Sequence, residues 1–210
     1  IFKRFPNLQT LTFDLKESWD YSTERYWFPK LEFLTELELL RVDFKSSNTN
    51  DNGPSIATNQ PWDFHFPSNL KKLGLYDFPL TSDSLSTIGR LANLEELLLI
   101  RTIIQGEEWN MGEEDTFENL KFLELYEVNL AKWEVGEESF PVLEKLALWE
   151  CHKFEEIPSS FGDICSLKII QLVESPQLED SAKNIKEYVE DSLGGELQIL
   201  GPNNILLFKP

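Results

Sequence analysis

Leucines recur along the chain with the spacing L-x-x-L-x-L, most regularly between Asn119 and Leu130. There the three positions are Leu120, Leu123 and Leu125. In an extended segment successive side chains point to opposite faces, so the second and third leucines share a face. A single strand with this pattern cannot bury its own apolar face, and we therefore expect neighbouring strands with the same pattern to cover it.

The same frame occurs seven times. Its apolar positions are Leu8/Leu11/Phe13, Leu34/Leu37/Leu39, Leu70/Leu73/Leu75, Leu94/Leu97/Leu99, Leu120/Leu123/Leu125, Leu143/Leu146/Leu148 and Leu167/Ile170/Leu172. The first leucines, at 8, 34, 70, 94, 120, 143 and 167, are 26, 36, 24, 26, 23 and 24 residues apart. All intervals but one lie within the 20–29-residue period of leucine-rich repeats.

This periodicity predicts an α/β solenoid. We expect a leucine-rich-repeat horseshoe with a parallel concave sheet and an irregular or short-helical convex side. The strands are predicted within residues 8–14, 35–41, 71–77, 95–101, 121–127, 144–150 and 168–174.

Phenylalanine marks the approach to most strands. Phe-Pro pairs lie at 5–6, 28–29, 66–67 and 140–141, and Phe117 stands alone in the corresponding place before Leu120. Proline has no amide donor and disfavours helix in the preceding residue, so it ends a convex segment. We expect these phenylalanines to fill the core behind the strands.

Two stretches depart from the repeat. Residues 46–66 lengthen one period and begin with a polar, turn-rich run, which we interpret as an exposed insertion, with a binding loop as the alternative. Residues 179–210 are predicted as a C-terminal cap, with a helix that Asp180 or Ser181 caps at its N-terminus and a short strand at 197–200. Residues 1–210 are thus predicted as one domain of seven to eight repeats, and we expect it to be a fragment of a larger receptor.

Net charge is unevenly distributed along the chain. Of 19 basic and 37 acidic residues, residues 1–104 hold 11 and 14 (net −3), and residues 105–210 hold 8 and 23 (net −15). Binding to nucleic acid needs clustered Lys and Arg, so it is not expected. An acidic half suits a basic protein partner, although solubility of an elongated surface is an alternative explanation.

The sequence offers little for catalysis. His65 and His152 have no partner at metal-ligand spacing, and Cys151 and Cys165, the only cysteines, are interpreted as structural. There is no G-x-x-x-x-G-K-[S/T] motif for a nucleotide. We therefore expect no enzyme activity, metal or cofactor in this chain. With no N-x-S/T acceptor, paired-cysteine cap or membrane span in the sequence, we expect a cytoplasmic location.

The concave surface is the remaining candidate site. With the first leucine of each frame as position one, position seven projects from the sheet and position eight follows it. Position seven holds Asp14, Leu40, Tyr76, Ile100, Tyr126, Trp149 and Val173; position eight holds Leu15, Arg41, Asp77, Arg101, Glu127, Glu150 and Glu174. We predict that Tyr76, Ile100, Tyr126 and Trp149 form a protein-binding ridge flanked by Glu127, Glu150 and Glu174. The alternative is that these side chains only stabilise one another across strands.

Three motifs together resemble a known family. They are Leu143-Glu-Lys-Leu146-Ala-Leu148-Trp-Glu-Cys151, Ile157-Pro158-x-x-Phe161-Gly162-x-Ile164-x-x-Leu167, and Leu167-Lys-Ile-Ile-Gln-Leu172 followed by Ser181-Ala182 and an acidic helix. With the Phe-Pro starts and the cap, they resemble the leucine-rich-repeat domain of plant intracellular nucleotide-binding leucine-rich-repeat (NLR) immune receptors, of the coiled-coil type found in nightshade-lineage disease-resistance and helper proteins. The chain departs from the repeat consensus at position nine, which often holds asparagine or cysteine. The residues at this position are Lys16, Val42, Phe78, Thr102, Val128, Cys151 and Ser175. We therefore expect no asparagine ladder.

The resemblance implies a regulatory and recognition module. Such domains pack on the receptor's own nucleotide-binding region for autoinhibition, and some contact a pathogen effector or act with a sensor or helper receptor to trigger the hypersensitive response. ATP or ADP is then expected only in the nucleotide-binding domain, which these residues do not include. The alternative function is a leucine-rich-repeat interaction scaffold or ubiquitin-ligase substrate adaptor; an upstream F-box would favour it, whereas an upstream nucleotide-binding domain would favour the receptor. An extracellular enzyme or inhibitor conflicts with the missing acceptors and paired cysteines.

Overall fold

Parallel strands at the repeat spacing organise the chain in the computed structural model, which describes residues 7–20, 25–45, 62–112, 115–136 and 138–202. In chain order the strands of these ranges are β1 Thr10–Lys16, β2 Trp19–Asp20, β3 Arg25–Tyr26, β4 Leu39–Lys45, β5 Lys72–Tyr76, β6 Pro79–Leu80, β7 Glu96–Ile100, β8 Ile103–Ile104, β9 Glu108–Asn110, β10 Phe122–Tyr126, β11 Lys132–Glu134, β12 Lys145–Trp149, β13 Ile169–Val173 and β14 Gln198–Leu200. The helices are α1 Ser82–Gly89 and α2 Glu179–Ser192, with 3₁₀ turns at Gln105–Glu107, Ser159–Asp163 and Pro176–Leu178.

Eight of these strands form one sheet in the order β1-β4-β5-β7-β10-β12-β13-β14. Every neighbouring pair is parallel, and equivalent positions of successive repeats lie opposite one another, as with Leu97, Leu123 and Leu146. Short strand pairs, β6 with β8 and β9 with β11, run parallel behind this sheet at the next turn of the chain. The predicted leucine-rich-repeat solenoid is confirmed.

The predicted frame is wrong in the second repeat. The strand is Leu39–Lys45 rather than a segment of 35–41, and Val42 lies between Phe13 and Leu75. The apolar positions are therefore 37, 40 and 42. Because leucines stand at 34, 37 and 40, the frame can begin at 34 or at 37. Val42 is buried, which selects the frame that begins at 37. Leu40 consequently belongs to the core and Arg41 to position five, and Asp43 takes position seven.

The core contains the strand leucines on one side and aromatic rings on the other. Phe117 and Phe140 stack with centroids 5.3 Å apart, and Phe161 follows at 5.9 Å from Phe140. A second stack joins Trp109 to Trp133 at 4.9 Å. The phenylalanines that precede the strands therefore pack inward as predicted, except Phe5, which lies outside the described residues.

An asparagine ladder is present, contrary to expectation, but one residue before the first leucine of the frame. Each of three side-chain amides donates to a backbone carbonyl of the preceding repeat. The bonds run from Asn69 to Thr35 (2.6 Å), from Asn93 to Ser68 (2.8 Å) and from Asn119 to Ala92 (2.6 Å). Ser166 continues the series with a 2.8 Å bond to the carbonyl of Leu143. These bonds satisfy carbonyls where the chain enters each strand.

The interpretation of 46–66 as an exposed insertion is wrong for its last residues. Trp62 is only 4% exposed, packs edge-on to Phe44 and donates its indole N–H to the carbonyl of Pro79 at 2.7 Å. Phe64 and Phe66 pack against the core cluster. Residues 46–61 lie outside the described residues, so the prediction for them stays open.

The chain closes with the predicted helix and strand. Helix α2 buries Ala182 and Ile185, and β14 adds a parallel strand beside β13. The helix begins at Glu179, just before the predicted start, because Ser181 does not cap it: its hydroxyl donates to the carbonyl of Leu178 and accepts from the amide of Ile157. Residues 203–210 of the predicted cap lie outside the described residues. No helix in the described ranges is long and apolar enough to cross a membrane.

Leu146→Ala tests the core directly. Leu146 is fully buried between β10 and β13, so the substitution should lower the free energy of unfolding by about 2–5 kcal/mol through lost transfer energy and a cavity. Chemical denaturation measures the change. Leu193→Ala, at a side chain that is 51% exposed, is the control and should change stability little. Equal effects of the two substitutions would contradict the core assignment.

His65 predicts a pH-dependent contribution to stability. Its Nδ1 lies 2.9 Å from Glu32 and its Nε2 3.1 Å from Asp63, so both nitrogens donate only in the imidazolium form. Burial by itself lowers the pKa of His65, but the hydrogen bonds to both carboxylates outweigh it and raise that pKa. The stabilisation is therefore full below the ordinary histidine pKa and is lost as pH rises through the raised pKa. The stability difference between the native chain and His65→Ala should therefore shrink as pH rises from the ordinary histidine pKa of about 6.5 through the raised pKa. A constant difference would exclude this role.

Candidate protein-binding surface

Four predicted side chains lie side by side on the concave face. Tyr76, Ile100, Tyr126 and Trp149 end strands β5, β7, β10 and β12, and each is paired in register with the next. The preceding residue of each strand is a buried leucine, so alternation turns this row outward. From first to last the row spans about 14 Å at the usual strand spacing. We keep the name ridge for these four residues.

The ridge is not uniformly exposed. Tyr76, Tyr126 and Trp149 are half-buried, whereas Ile100, between two tyrosines, is only 7% exposed. Tyr126 and Trp149 meet edge-to-face with ring centroids 6.4 Å apart. The structure thus brings the predicted residues together, and their role in binding stays a prediction.

Position eight adopts a left-handed backbone conformation that the sequence did not predict. The residues and their φ angles are Asp77 (60°), Arg101 (49°), Glu127 (52°), Glu150 (51°) and Glu174 (48°). For residues other than glycine this conformation costs about 1–2 kcal/mol. In return, the amides of Asp77, Arg101, Glu127 and Glu150 donate to the position-seven carbonyl of the next strand at 2.8–2.9 Å. The position-eight side chains therefore form a row along the C-terminal ends of the strands. We call this row the finishing edge of the sheet.

Cations in the N-terminal half of the chain balance the first part of the finishing edge. Arg101 donates to both oxygens of Asp77, at 2.8 and 2.9 Å. In the C-terminal half the edge holds only carboxylates. Glu150 accepts from the Tyr126 hydroxyl at 3.0 Å, which raises the pKa of that phenol. Glu127 follows Arg101 on this edge and interacts with its charge, whereas Glu174 has no side-chain partner in the described part of the chain.

The opposite edge of the sheet is balanced along its whole length. We call the row at position two, just before the N-terminal ends of the strands, the starting edge. Its charges alternate in sign along the row: Glu38, Lys71, Glu95, Lys121, Glu144 and Lys168. Each lysine pairs with the glutamate of the preceding repeat, at 2.8, 3.0 and 3.1 Å in chain order. This row was not predicted from the sequence, although the alternation of charge sign at one repeat position is a signal for it.

The face between the edges holds buried polar groups. Gln171 is 1% exposed, and neither its Nε2 nor the Nε1 of Trp149 has a protein acceptor within hydrogen-bond reach. Glu124 is half-buried on the same face; burial raises the pKa of its carboxyl, and the charge of Lys145 offsets part of that rise. Sequence reasoning named none of these residues because a lone Gln or Glu at position five carries no pattern.

The two free cysteines are not members of the ridge. Burial raises the pKa of Cys151 to about 11, and its thiol donates to the carbonyl of Leu125 at 3.3 Å, so it is a poor nucleophile. Cys165 is exposed and lies in a different repeat. Within the described ranges no three His, Cys, Asp or Glu side chains are grouped as metal ligands.

Comparison with known proteins gives close relatives. No family model matches the chain. A putative late blight resistance protein homolog, R1B-13 of Solanum demissum, is 35% identical over 196 residues, which are 91% of this chain and 16% of that protein. Late blight resistance protein R1-A of the same species is 42% identical over 127 residues, 59% of this chain and 10% of that protein. The chain is a leucine-rich-repeat region homologous to the late blight resistance proteins.

The chain spans only 10% to 16% of the length of these relatives. A solved leucine-rich-repeat protein of Leptospira interrogans aligns with 81% of this chain and 50% of its own, at a TM-score of 0.35 and 16% identity. The fold of this resistance-protein region is established by its own eight-stranded parallel sheet.

Glu124→Gln tests whether this face retains a carboxylate at a cost in stability. A carboxyl whose pKa is raised on folding binds its proton more tightly in the native state, so stability falls as pH rises through that pKa. The substitution should therefore raise the melting temperature at neutral pH, and its advantage should narrow as pH falls through the raised pKa. The exposed Glu118→Gln is the matched control and should show neither effect. A lower melting temperature for Glu124→Gln at neutral pH would show that its attraction to Lys145 outweighs its burial.

Proposed function

We propose that this chain is the recognition and regulatory module of a cytoplasmic disease-resistance receptor. Through the ridge and the flanking Glu127, Glu150 and Glu174 it binds protein, either the receptor's own nucleotide-binding region in the resting state or an effector or partner receptor on activation. Homology to late blight resistance proteins supports the receptor over a free-standing scaffold or ubiquitin-ligase adaptor.

The difference between the two edges of the sheet carries this proposal. Charges on the starting edge neutralise one another within the chain. On the C-terminal finishing edge Glu127 has only the charge of Arg101, already bound to Asp77, beside it, and Glu150 and Glu174 have no ion pair in the described residues. Half-buried aromatic rings adjoin the unbalanced edge and not the balanced one. Tyrosine and tryptophan next to unpaired charge are typical of an interface centre and its rim.

Autoinhibition is the mechanism we propose for the resting receptor. A nucleotide-binding region held against the ridge is restrained from the rearrangement that signalling needs, and ATP or ADP acts in that region alone. A competing ligand for the ridge, or loss of the ridge, releases the restraint. The ligand shifts the resting state only by its differential affinity for the two states.

The double substitution Tyr126→Ala and Trp149→Ala tests the proposal in the full receptor. Their rings lie outside the leucine core, so the isolated chain should stay folded, with a melting temperature within a few degrees of the native one. In the plant cell the variant should either cause cell death without a pathogen or abolish triggered cell death. Melting temperature and cell-death activity are measured side by side.

The matched control is Trp27→Ala with Phe33→Ala. These side chains are 48% and 38% exposed and lie in the segment before β4, away from the concave face. This pair removes a tryptophan and a second aromatic ring without touching the ridge, so signalling should be unchanged. A folded Tyr126/Trp149 variant that signals normally would reject the ridge as the contact surface.

A further inference from the structure

The N-terminal half of the concave face shows two contacts made by arginine within the chain. The guanidinium of Arg41 lies 3.9 Å above the ring of Tyr76, and its Nε is 3.2 Å from Asp43. Next along the finishing edge, Arg101 forks onto Asp77. The aromatic ring at position seven and the carboxylate at position eight are therefore each in contact with a guanidinium from a neighbouring repeat.

Register locates the equivalent contacts in the C-terminal half. Arg41 pairs with Gly74, two residues before Tyr76, so it occupies position five of the strand before that ring. The equivalent residue is Leu98 for Tyr126 and Glu124 for Trp149. Neither is a cation. The aromatic rings recur in this half of the face, but the arginines that would cover them do not.

The finishing edge shows the same omission. Arg101 is position eight of the repeat after Asp77. Glu127 follows it and interacts with its charge. The next two pairs, Glu127 with Glu150 and Glu150 with Glu174, are like charges on adjacent strands about 4.8 Å apart. Such pairs are destabilising when nothing neutralises them.

We infer that a protein partner supplies the missing guanidinium groups. Resting on the proposed function, this inference names the partner's chemistry: an arginine-bearing basic segment that lies across the ends of β10, β12 and β13. Its arginines stack on Tyr126 and Trp149 and fork onto Glu127, Glu150 and Glu174. Arginine fits better than lysine because its planar group both stacks on rings and binds carboxylates through two parallel hydrogen bonds.

The charge of the C-terminal half supports a cationic ligand at this place. Residues 105–210 carry 23 acidic and 8 basic side chains, whereas residues 1–104 carry 14 and 11.

A peptide experiment on the chain tests the guanidinium requirement. The probes are two eight-residue peptides, one of alternating glycine and arginine and the other of alternating glycine and lysine. Both peptides carry the same charge. Calorimetry at physiological salt should show the arginine peptide binding about tenfold more tightly. The triple variant Glu127→Gln, Glu150→Gln, Glu174→Gln should weaken it about tenfold.

The control triple variant is Glu36→Gln, Glu187→Gln, Asp191→Asn. It changes net charge equally at exposed residues outside the concave face and should leave affinity within about twofold. No measurable binding of the arginine peptide, equal binding of both peptides, or equal loss in both triple variants would each overturn the inference.

An arginine placed within the chain gives a second test that leaves every carboxylate intact. Leu98→Arg puts a guanidinium in the register to Tyr126 that Arg41 has to Tyr76, so it should occupy that ring and weaken arginine-peptide binding about tenfold. Leu98→Lys adds the same charge without the planar group and should weaken binding less. Equal effects of the two substitutions would contradict the inference.

Failure of the guanidinium inference can be distinguished from failure of the proposed function. If peptides and Leu98 variants give negative results while Tyr126→Ala with Trp149→Ala alters cell death, the ridge binds a partner of other chemistry. If the ridge variant signals normally although the arginine peptide binds as expected, the surface is a guanidinium site that the receptor does not use in autoinhibition.

Discussion

Each strand of the concave sheet buries its leucines only because the strands on either side carry leucines at the same level. This mutual burial fixes the register, as the in-line Leu97, Leu123 and Leu146 show. Once positions four and six are committed to the core, alternation leaves three, five and seven facing the concave side. The binding surface is therefore a consequence of the core, and its side chains are free to vary without loss of the fold.

The same constraint makes rows of the repeat positions. Any residue type that recurs at one position becomes a line of neighbours about 4.8 Å apart. On the starting edge the charges alternate in sign, and each lysine pairs with a glutamate of the same row. On the finishing edge it begins with the Asp77–Arg101 pair and continues as three glutamates. Exposed ion pairs contribute little stability, so the first arrangement mainly removes charge from that edge, and the second concentrates charge on the other.

The strands, which follow from the repeat period, were predictable from the sequence. Features that depend on backbone geometry or on a single residue were not. Six of seven strands were located because their frames are unambiguous; the second failed because Leu34, Leu37 and Leu40 offer two registers. The asparagine ladder was sought at position nine, where the resemblance put it, although Asn69, Asn93 and Asn119 hold it elsewhere. The left-handed turn at position eight had no signal, since Glu has no preference for that conformation. The ridge was identifiable, but Gln171 and Glu124 acquire meaning only through burial.

Several features of this face lower stability in the isolated chain. Glu127, Glu150 and Glu174 combine a left-handed backbone with like-charged neighbours, and Glu124 is a half-buried carboxyl whose pKa is raised by burial. The buried Nε2 of Gln171 lacks an acceptor. Each has a stabilising alternative within reach of one substitution, such as glycine at position eight or an amide at Glu124. Their concentration beside Tyr126 and Trp149, on the one edge that is not charge-balanced, fits a surface completed by a partner. A cationic segment lying across these strand ends would neutralise the carboxylates.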